Sequence, residues 1–362
     1  MNEFPYSDTN KRYHTYDYYL KHTFGSKCVK IPLDAGFSCP NRENGAHGCS
    51  FCSPRGSGDQ CTGLSGGVPR PGAVTPTIRE QLSEGYARLL GKWTGSLSAK
   101  SAESLSAKST GSLSTKSARR GKTDGGELPV IPYFQAFTCT YAPAPLLEKI
   151  YREALCFPDA EGKRHTAAAV HIATRPDCVP PEVIAVLARL AREVPVVVEL
   201  GLQSVHDETL RRIRRGHDAA CFFDALHRLH DAGLPVCVHI INGLPGEDAE
   251  DMLDTARALA GERIEFLKIH ALHVLSGTAL ADEYRAGQIS LLSQEDYTDI
   301  TCRQLELLPP ETVICRLTGD GDGGALLAPD WTRNKRAVLN GIDRWFAEHD
   351  SMQGIRYSGG TR

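Results

Sequence analysis

The sequence predicts an α/β fold built on a parallel sheet. Two observations carry that expectation: six short apolar runs rich in β-branched residues, and a loop and helix-like stretch behind nearly every one. Continuous apolar strands joined by helical crossovers indicate a parallel sheet with helices covering its outer face. The runs, in order, are "KCVKIPL" at 27–33, "LPVIPYFQAF" at 128–137, "TAAAVHIAT" at 166–174, "PVVVELGLQ" at 195–203, "LPVCVHIINGL" at 234–244 and "IEFLKIHALHV" at 264–274. Helices are expected at 75–91, 144–156, 180–192, 207–214, 218–232 and 247–260, with "PPEVIAVLARLARE" the clearest amphipathic run. Periodicity leaves open whether the sheet stays flat or curls toward a barrel. In either geometry, reactive groups belong at the C-terminal strand ends.

At 362 residues and 41% hydrophobic, the chain can bury a full core. The first 25 residues carry scattered charges and tyrosines rather than an apolar stretch, and no run approaches a membrane span, so a cytoplasmic protein with no membrane partner is expected. Twelve cysteines in such a chain are expected to stay reduced and free to bind metal. The formal net charge of −3 does not advertise a nucleic-acid binder, although "RRIRRGH" at 211–217 and "SARRGK" at 117–122 are locally basic. A solvated helix face is the plainer reading of the former.

Residues 95–118 repeat an eight-residue unit three times, "GSLSAKSA", "ESLSAKST", "GSLSTKSA", with almost no apolar content. Such a tract cannot offset its own ordering entropy, so 92–127 is expected to be a disordered insertion. It is basic by seven charges to three, which leaves the remainder near −7.

Just beyond the first predicted strand stands "CPNRENGAHGCSFC", with nine residues between Cys39 and Cys49 and two between Cys49 and Cys52. Three thiolates can ligate three irons of a four-iron cluster and leave the fourth iron open, whereas structural zinc takes four protein ligands. His47 completing a Cys3His zinc site is the competing reading, with Cys61 a further stray thiol.

Three cysteines after the first strand of a six-unit chain resemble the radical S-adenosylmethionine (radical SAM) enzymes, and the nine-residue spacing resembles the branch containing the elongator catalytic subunit. "GFSCPNRENGAHGCSFC", "YFQAFTCTYAP", "ATRPDCVP", "VELGLQSVHDETLRRIRRGHD", "INGLPGE", "KIHALHVLSGTALA" and "RLTGDG…LLAPDWTRNKRAVLN" are similar, in order, to the motifs of the YhcC/YtqA-like radical SAM proteins. The resemblance implies a partial (β/α)6 TIM-type barrel. The radical SAM core would span 29–275, interrupted by the insertion, with an N-terminal extension at 1–28 and a helical or mixed C-terminal extension at 276–362. It implies a 4Fe-4S cluster on Cys39, Cys49 and Cys52, reductive cleavage of S-adenosylmethionine to a 5'-deoxyadenosyl radical, and an electron donor such as flavodoxin or ferredoxin. It points to tRNA wobble uridine as substrate, with a small metabolite or a peptide as runner-up. A non-catalytic metal-binding scaffold is the alternative outside catalysis.

By the same resemblance, Phe51 lies near the adenine, and Gln203 and Arg215 hold the methionine carboxylate, with Arg214 the competitor one residue away. A guanidinium suits a carboxylate because it offers a planar fork of donors. Glu199 is either a cofactor contact or a residue that orients Arg175. Gln135 and Thr138 stand where the superfamily's usual GGE-type element is missing and could contact the cofactor amine. Gly243 and Gly246 in "NGLPGE" permit a close backbone approach to the adenine, or serve a plain strand-to-helix turn. Cys139 and Cys178 read as small buried hydrophobes before hydrogen donors, and His270 and His273 as core histidines before pocket groups.

Overall fold

The structure, a computed structural model, describes residues 4–54, 56, 61, 76–91, 128–319 and 324–359. The insertion at 92–127 lies outside the described residues. All six predicted strands form: β1 (Val29–Leu33), β2 (Val130–Phe134), β3 (Val170–Thr174), β4 (Val196–Gln203), β5 (Val236–Asn242) and β6 (Phe266–Ala271). They pair in sequence order, all parallel, and a seventh strand that the sequence reading did not anticipate, β7 (Val313–Arg316), adds beside β6. The result is a seven-stranded half-barrel, in agreement with the partial-barrel expectation and one strand larger.

Among the described residues the helices are α1 (Tyr16–Phe24), α2 (78–91), α3 (Ala144–Glu153), α4 (Pro181–Leu190), α5 (Asp207–Arg212), α6 (Ala219–Asp231), α7 (Ala249–Ala260), α8 (Ala279–Arg285), α9 (Gln294–Leu307) and α10 (Lys335–Glu348). Several are a few residues shorter than predicted, because their caps set the ends. Asp218 accepts from the Cys221 amide to start α6, and Asp248 forms a reciprocal capping box with Asp251 to start α7. No helix among the described residues is long and apolar enough to cross a membrane.

The main core lies between the sheet's outer face and the helices: Ile31, Leu33, Phe134, Ile172, Val198, Leu200, Val238 and Ile269 are buried there against Leu147, Leu187, Leu226 and Leu259. Side chains of the opposite parity face the barrel interior in layers. The lowest layer is apolar, with Ile131, Ala169, Val197, Cys237, Phe266 and Val313 buried, and Tyr16, Tyr19 and Leu20 of α1 pack against it and close the bottom. One strand repeat higher, the interior turns charged: Lys30, Tyr133, His171, Glu199, His239 and Lys268. Cross-strand pairing of Tyr133 with His171 and of His239 with Lys268 holds that level. Above it, the interior opens at the C-terminal strand ends.

Candidate functional site

A cavity of about 650 Å³ fills the half-barrel above α1, and Cys39, Cys49, Cys52, Phe51, Gln135, Thr138, Glu199, Gln203 and Arg215 all line it. The cysteine loop is held by its own backbone. A 3-10 turn over Pro40–Gly45 follows Cys39, the Cys52 amide donates to the Cys49 carbonyl at 3.0 Å, and the Ser50 amide donates to the Ile213 carbonyl at 2.9 Å. Gly48 sits at φ +84, a left-handed backbone that glycine adopts without strain, and a Cβ there would meet Arg42 at 3.1 Å. Arg42 in turn donates to the carbonyls of Cys52 and Ser53.

All three cysteines line the one cavity, and two donors face Cys49. Asn41 Nδ2 lies 3.5 Å from Cys49 Sγ, and Arg215 Nη1 lies 3.8 Å from it. Burial first, then Cys49, pushes the Cys52 thiol up, while Arg42 pulls it back. Three sulfurs that sense one another beside guanidinium and amide donors suit a group that makes them thiolates. His47 is exposed and does not line the cavity, so the Cys3His zinc set is not assembled. Cys61 is buried away from the lining.

Arg215, 7% exposed, is seated from three sides. Its Nη2 donates to the Gly201 carbonyl at 2.8 Å, and its own carbonyl accepts from Asn41 at 2.8 Å and from Arg175 at 2.8 Å. Its buried Nε has no hydrogen-bond partner, a donor left over for a ligand. Arg214 is exposed and outside the lining, so of these two neighbours Arg215 is the one that enters the cavity. Gly201 makes this seat available: a Cβ there would fall 2.5 Å from Arg215 Nη2 and 2.7 Å from Gln203 Nε2. Gln203 itself holds φ +79 and Phe137 holds φ +59, left-handed conformations that cost non-glycine residues about 1–3 kcal/mol each. Both line the cavity.

Glu199 does not orient Arg175. Asp177 does, through two hydrogen bonds of 2.9 and 2.7 Å, because Arg175 lies beyond the end of β3 while Glu199 sits mid-strand at a lower level. Glu199 instead accepts from Lys30, His171, His239 and Lys268. Its carboxyl lies well below the ordinary range: burial alone would raise it, but Lys268, Lys30 and the two imidazoles together outweigh burial. Glu199, Cys237 and His239 converge within 4.8 Å, yet a cation would find the carboxylate already taken by two ammoniums.

Gly243 stands apart from these residues. At φ +86 it packs against Leu292 outside the cavity, and with Gly246 at φ +95 it serves the strand-to-helix turn. Cys139 is fully buried in the main core and Cys178 is buried outside the lining, consistent with the hydrophobe reading. His270 and His273 go the other way: both line the cavity, and His273 Nε2 is buried without a partner. Gly319 lets that imidazole in, since a Cβ there would lie 2.2 Å from its ring. The sequence reading also missed Lys30, His171, His239 and Lys268. Their signal was a polar residue at one fixed parity inside otherwise apolar strands.

Residues 135–259 match the model of the radical SAM superfamily, and residues 264–348 match that of the Radical_SAM C-terminal domain. YtqA of Bacillus subtilis is 39% identical over 98% of this chain and 95% of its own length, a span that includes the cysteine loop. YhcC of Escherichia coli is 31% identical over 91% of each. A tRNA uridine(34) acetyltransferase of Methanocaldococcus infernus is 28% identical over 44% of this chain and 30% of its own. The solved Elp3 structure from that organism shares the fold, with a TM-score of 0.52 at 19% identity over 62% of this chain and 55% of the other.

Proposed function

The chain belongs to the radical SAM superfamily, in the group of YtqA and YhcC, and from that premise we propose that it is an enzyme acting on the side chain of a tRNA wobble uridine. Members of the superfamily use a 4Fe-4S cluster and S-adenosylmethionine. Bound together, these supply hydrogen-atom abstraction from an unactivated carbon, and the reaction needs a one-electron reductant such as flavodoxin or ferredoxin. In this chain Cys39, Cys49 and Cys52 would hold the cluster. Arg215, with Gln203 beside it, would take the methionine carboxylate on the donor that is left over at Nε. Phe51, Gln135 and Thr138 line the same cavity.

The observation that carries this reading is the incomplete ligand set: three cysteines line the cavity together with a guanidinium that has a donor to spare, and the nearest histidine in sequence is exposed and outside the lining. A structural metal scaffold has no use for such a grip. The tRNA substrate is supported by the partial likeness to the uridine(34) acetyltransferase and by the exposed Arg211 and Arg214 beside the cysteine loop.

Two measurements test the proposal. Anaerobic reconstitution followed by dithionite and S-adenosylmethionine is expected to release 5'-deoxyadenosine. Nucleoside mass spectrometry of a deletion strain is expected to show a carboxymethylaminomethyl-type wobble uridine accumulating at the expense of its aminomethyl product. An unchanged nucleoside profile, with 5'-deoxyadenosine release stimulated by an RNA-free metabolite extract, would move the substrate to a small molecule.

A further inference from the structure

The charged layer below the cofactor grip is out of balance. Glu199 is wholly buried on β4, and both its oxygens are engaged: Oε1 accepts from Lys30 at 2.5 Å and His171 at 2.7 Å, and Oε2 accepts from Lys268 and from His239 at 2.8 Å. Two ammoniums thus share one carboxylate. No other Asp or Glu is among the described residues lining the cavity. His171 adds no positive charge at neutral pH, since burial first and Lys30 next bring it down to about 4. Burial disfavours the Lys30 ammonium, Glu199 opposes that, and Lys268 adds to it. The ring of Tyr133 lies 4.0 Å from Lys30 Nζ and 4.6 Å from Lys268 Nζ, and its hydroxyl accepts from Lys268 at 3.2 Å. These contacts soften the excess but do not cancel it.

A buried positive excess is unfavourable in the empty protein and is relieved when an anion enters. Glu199 is two residues before Gly201 on the same strand, so this layer lies roughly 7 Å below the carbonyl that seats Arg215. Lys30 and Lys268 below and Arg215 above are therefore stacked as cationic centres in a cavity that must hold both cofactor and substrate, which Arg42, Arg175 and Arg316 also line, with Arg316 paired across the sheet with Lys268. We infer that Lys30 and Lys268 form an anion-receiving floor, and that the substrate group reaching it bears anionic oxygens, as a carboxylate or a phosphate does. The inference rests on the proposed function only in taking this cavity as the place where substrate reacts. Lys30 and Lys268 would then act as specificity residues, selecting substrates by charge.

The test is titration calorimetry of malonate and of inorganic phosphate into the full chain, both as purified and after anaerobic reconstitution with saturating S-adenosylmethionine. One of the two anions is expected to bind with unit stoichiometry in both states. Malonate alone would identify a carboxylate substrate group and phosphate alone a phosphate. Lys268→Met is expected to weaken binding at least tenfold. Glu199→Gln removes the resident competitor at nearly unchanged shape and is expected to tighten it several-fold. Should Lys268→Met fail to fold, the opposite sign of Glu199→Gln still decides the matter, because a purely structural role gives no tightening. Absence of binding by either anion would overturn the floor, as would affinities indifferent to both variants. So would binding lost in Arg215→Ala, since the anion would then sit in the upper grip. Failure to load iron or release 5'-deoxyadenosine would strike the radical SAM reading while leaving the calorimetric result standing.

Discussion

Gly201→Ala is the smallest change that separates the cofactor grip from the rest of the site. Its added methyl would lie 2.5 Å from Arg215 Nη2 and 2.7 Å from Gln203 Nε2, and real Cβ atoms are not found so close to a neighbour. Both obstructing atoms are the ends of flexible side chains, so the sheet can survive while the guanidinium moves. Arg215 then loses its 2.8 Å bond to the Gly201 carbonyl and its approach to Cys49, and its Nε is no longer aimed where a ligand can use it. A hydrogen bond to a charged group contributes about 1.5–3 kcal/mol, so the affinity for S-adenosylmethionine should fall by roughly 10- to 150-fold. The cysteine loop is on a different element, and iron loading should stay at the wild-type level. Equilibrium dialysis with labelled cofactor on reconstituted protein measures the loss, and iron content serves as the internal control. A double-mutant cycle sharpens the test, because in an Arg215→Ala background the same methyl has only the Gln203 amide left to displace and should cost much less. Wild-type affinity in Gly201→Ala, or losses that simply add in the double variant, would refute the idea that Gly201 exists to seat Arg215.

The cysteines make a second prediction: replacing Cys39, Cys49 or Cys52 by Ala should each abolish iron loading, while Cys61→Ala and Cys139→Ala should retain it, as read by iron content and absorbance near 400 nm. Equal loading in all five variants would remove the cluster from this loop. A third concerns pH. His171 and His273 are each brought down to about 4, by burial foremost and then by Lys30 and Lys335 respectively. The unfolded chain binds those protons near 6.5 and the fold does not, so stability should be complete above about 6.5 and fall as pH drops toward 4, by up to about 1.4 kcal/mol per unit for each group. Urea unfolding at pH 7, 6 and 5 measures this, and His273→Asn should flatten the slope; an unflattened profile would show that His273 is not held neutral.

Much of this fold was legible because its signals are local. Each of the six strands is an apolar run long enough to be recognised alone, and helix starts are written in residues such as Asp218 and Asp248. The seventh strand escaped because Val313–Arg316 is only four residues long and is stabilised by pairing with β6 and by the Ile314 amide donating to the carbonyl of His14 across nearly the whole chain. The histidines were misjudged for a related reason. A histidine in an apolar strand reads the same whether it faces the helices or the lumen, and only the register places His270 in the cavity, while His273 enters it from the segment just beyond β6.

The sequence by itself determined the class of fold, the place of the cysteine loop behind β1 and its open set of three thiols, since each depends on neighbours within a few residues. Only the tertiary structure decided which guanidinium enters the cavity, what Glu199 does and where the interior turns cationic. Glu199 meets Lys30 from 169 residues away and Lys268 from 69, and Arg215 meets Cys49 from 166. Such pairs are set by how parallel strands align and curl. A one-residue slip would send Lys30, Glu199 or Lys268 to the opposite face of its strand, and no short stretch of sequence carries that register.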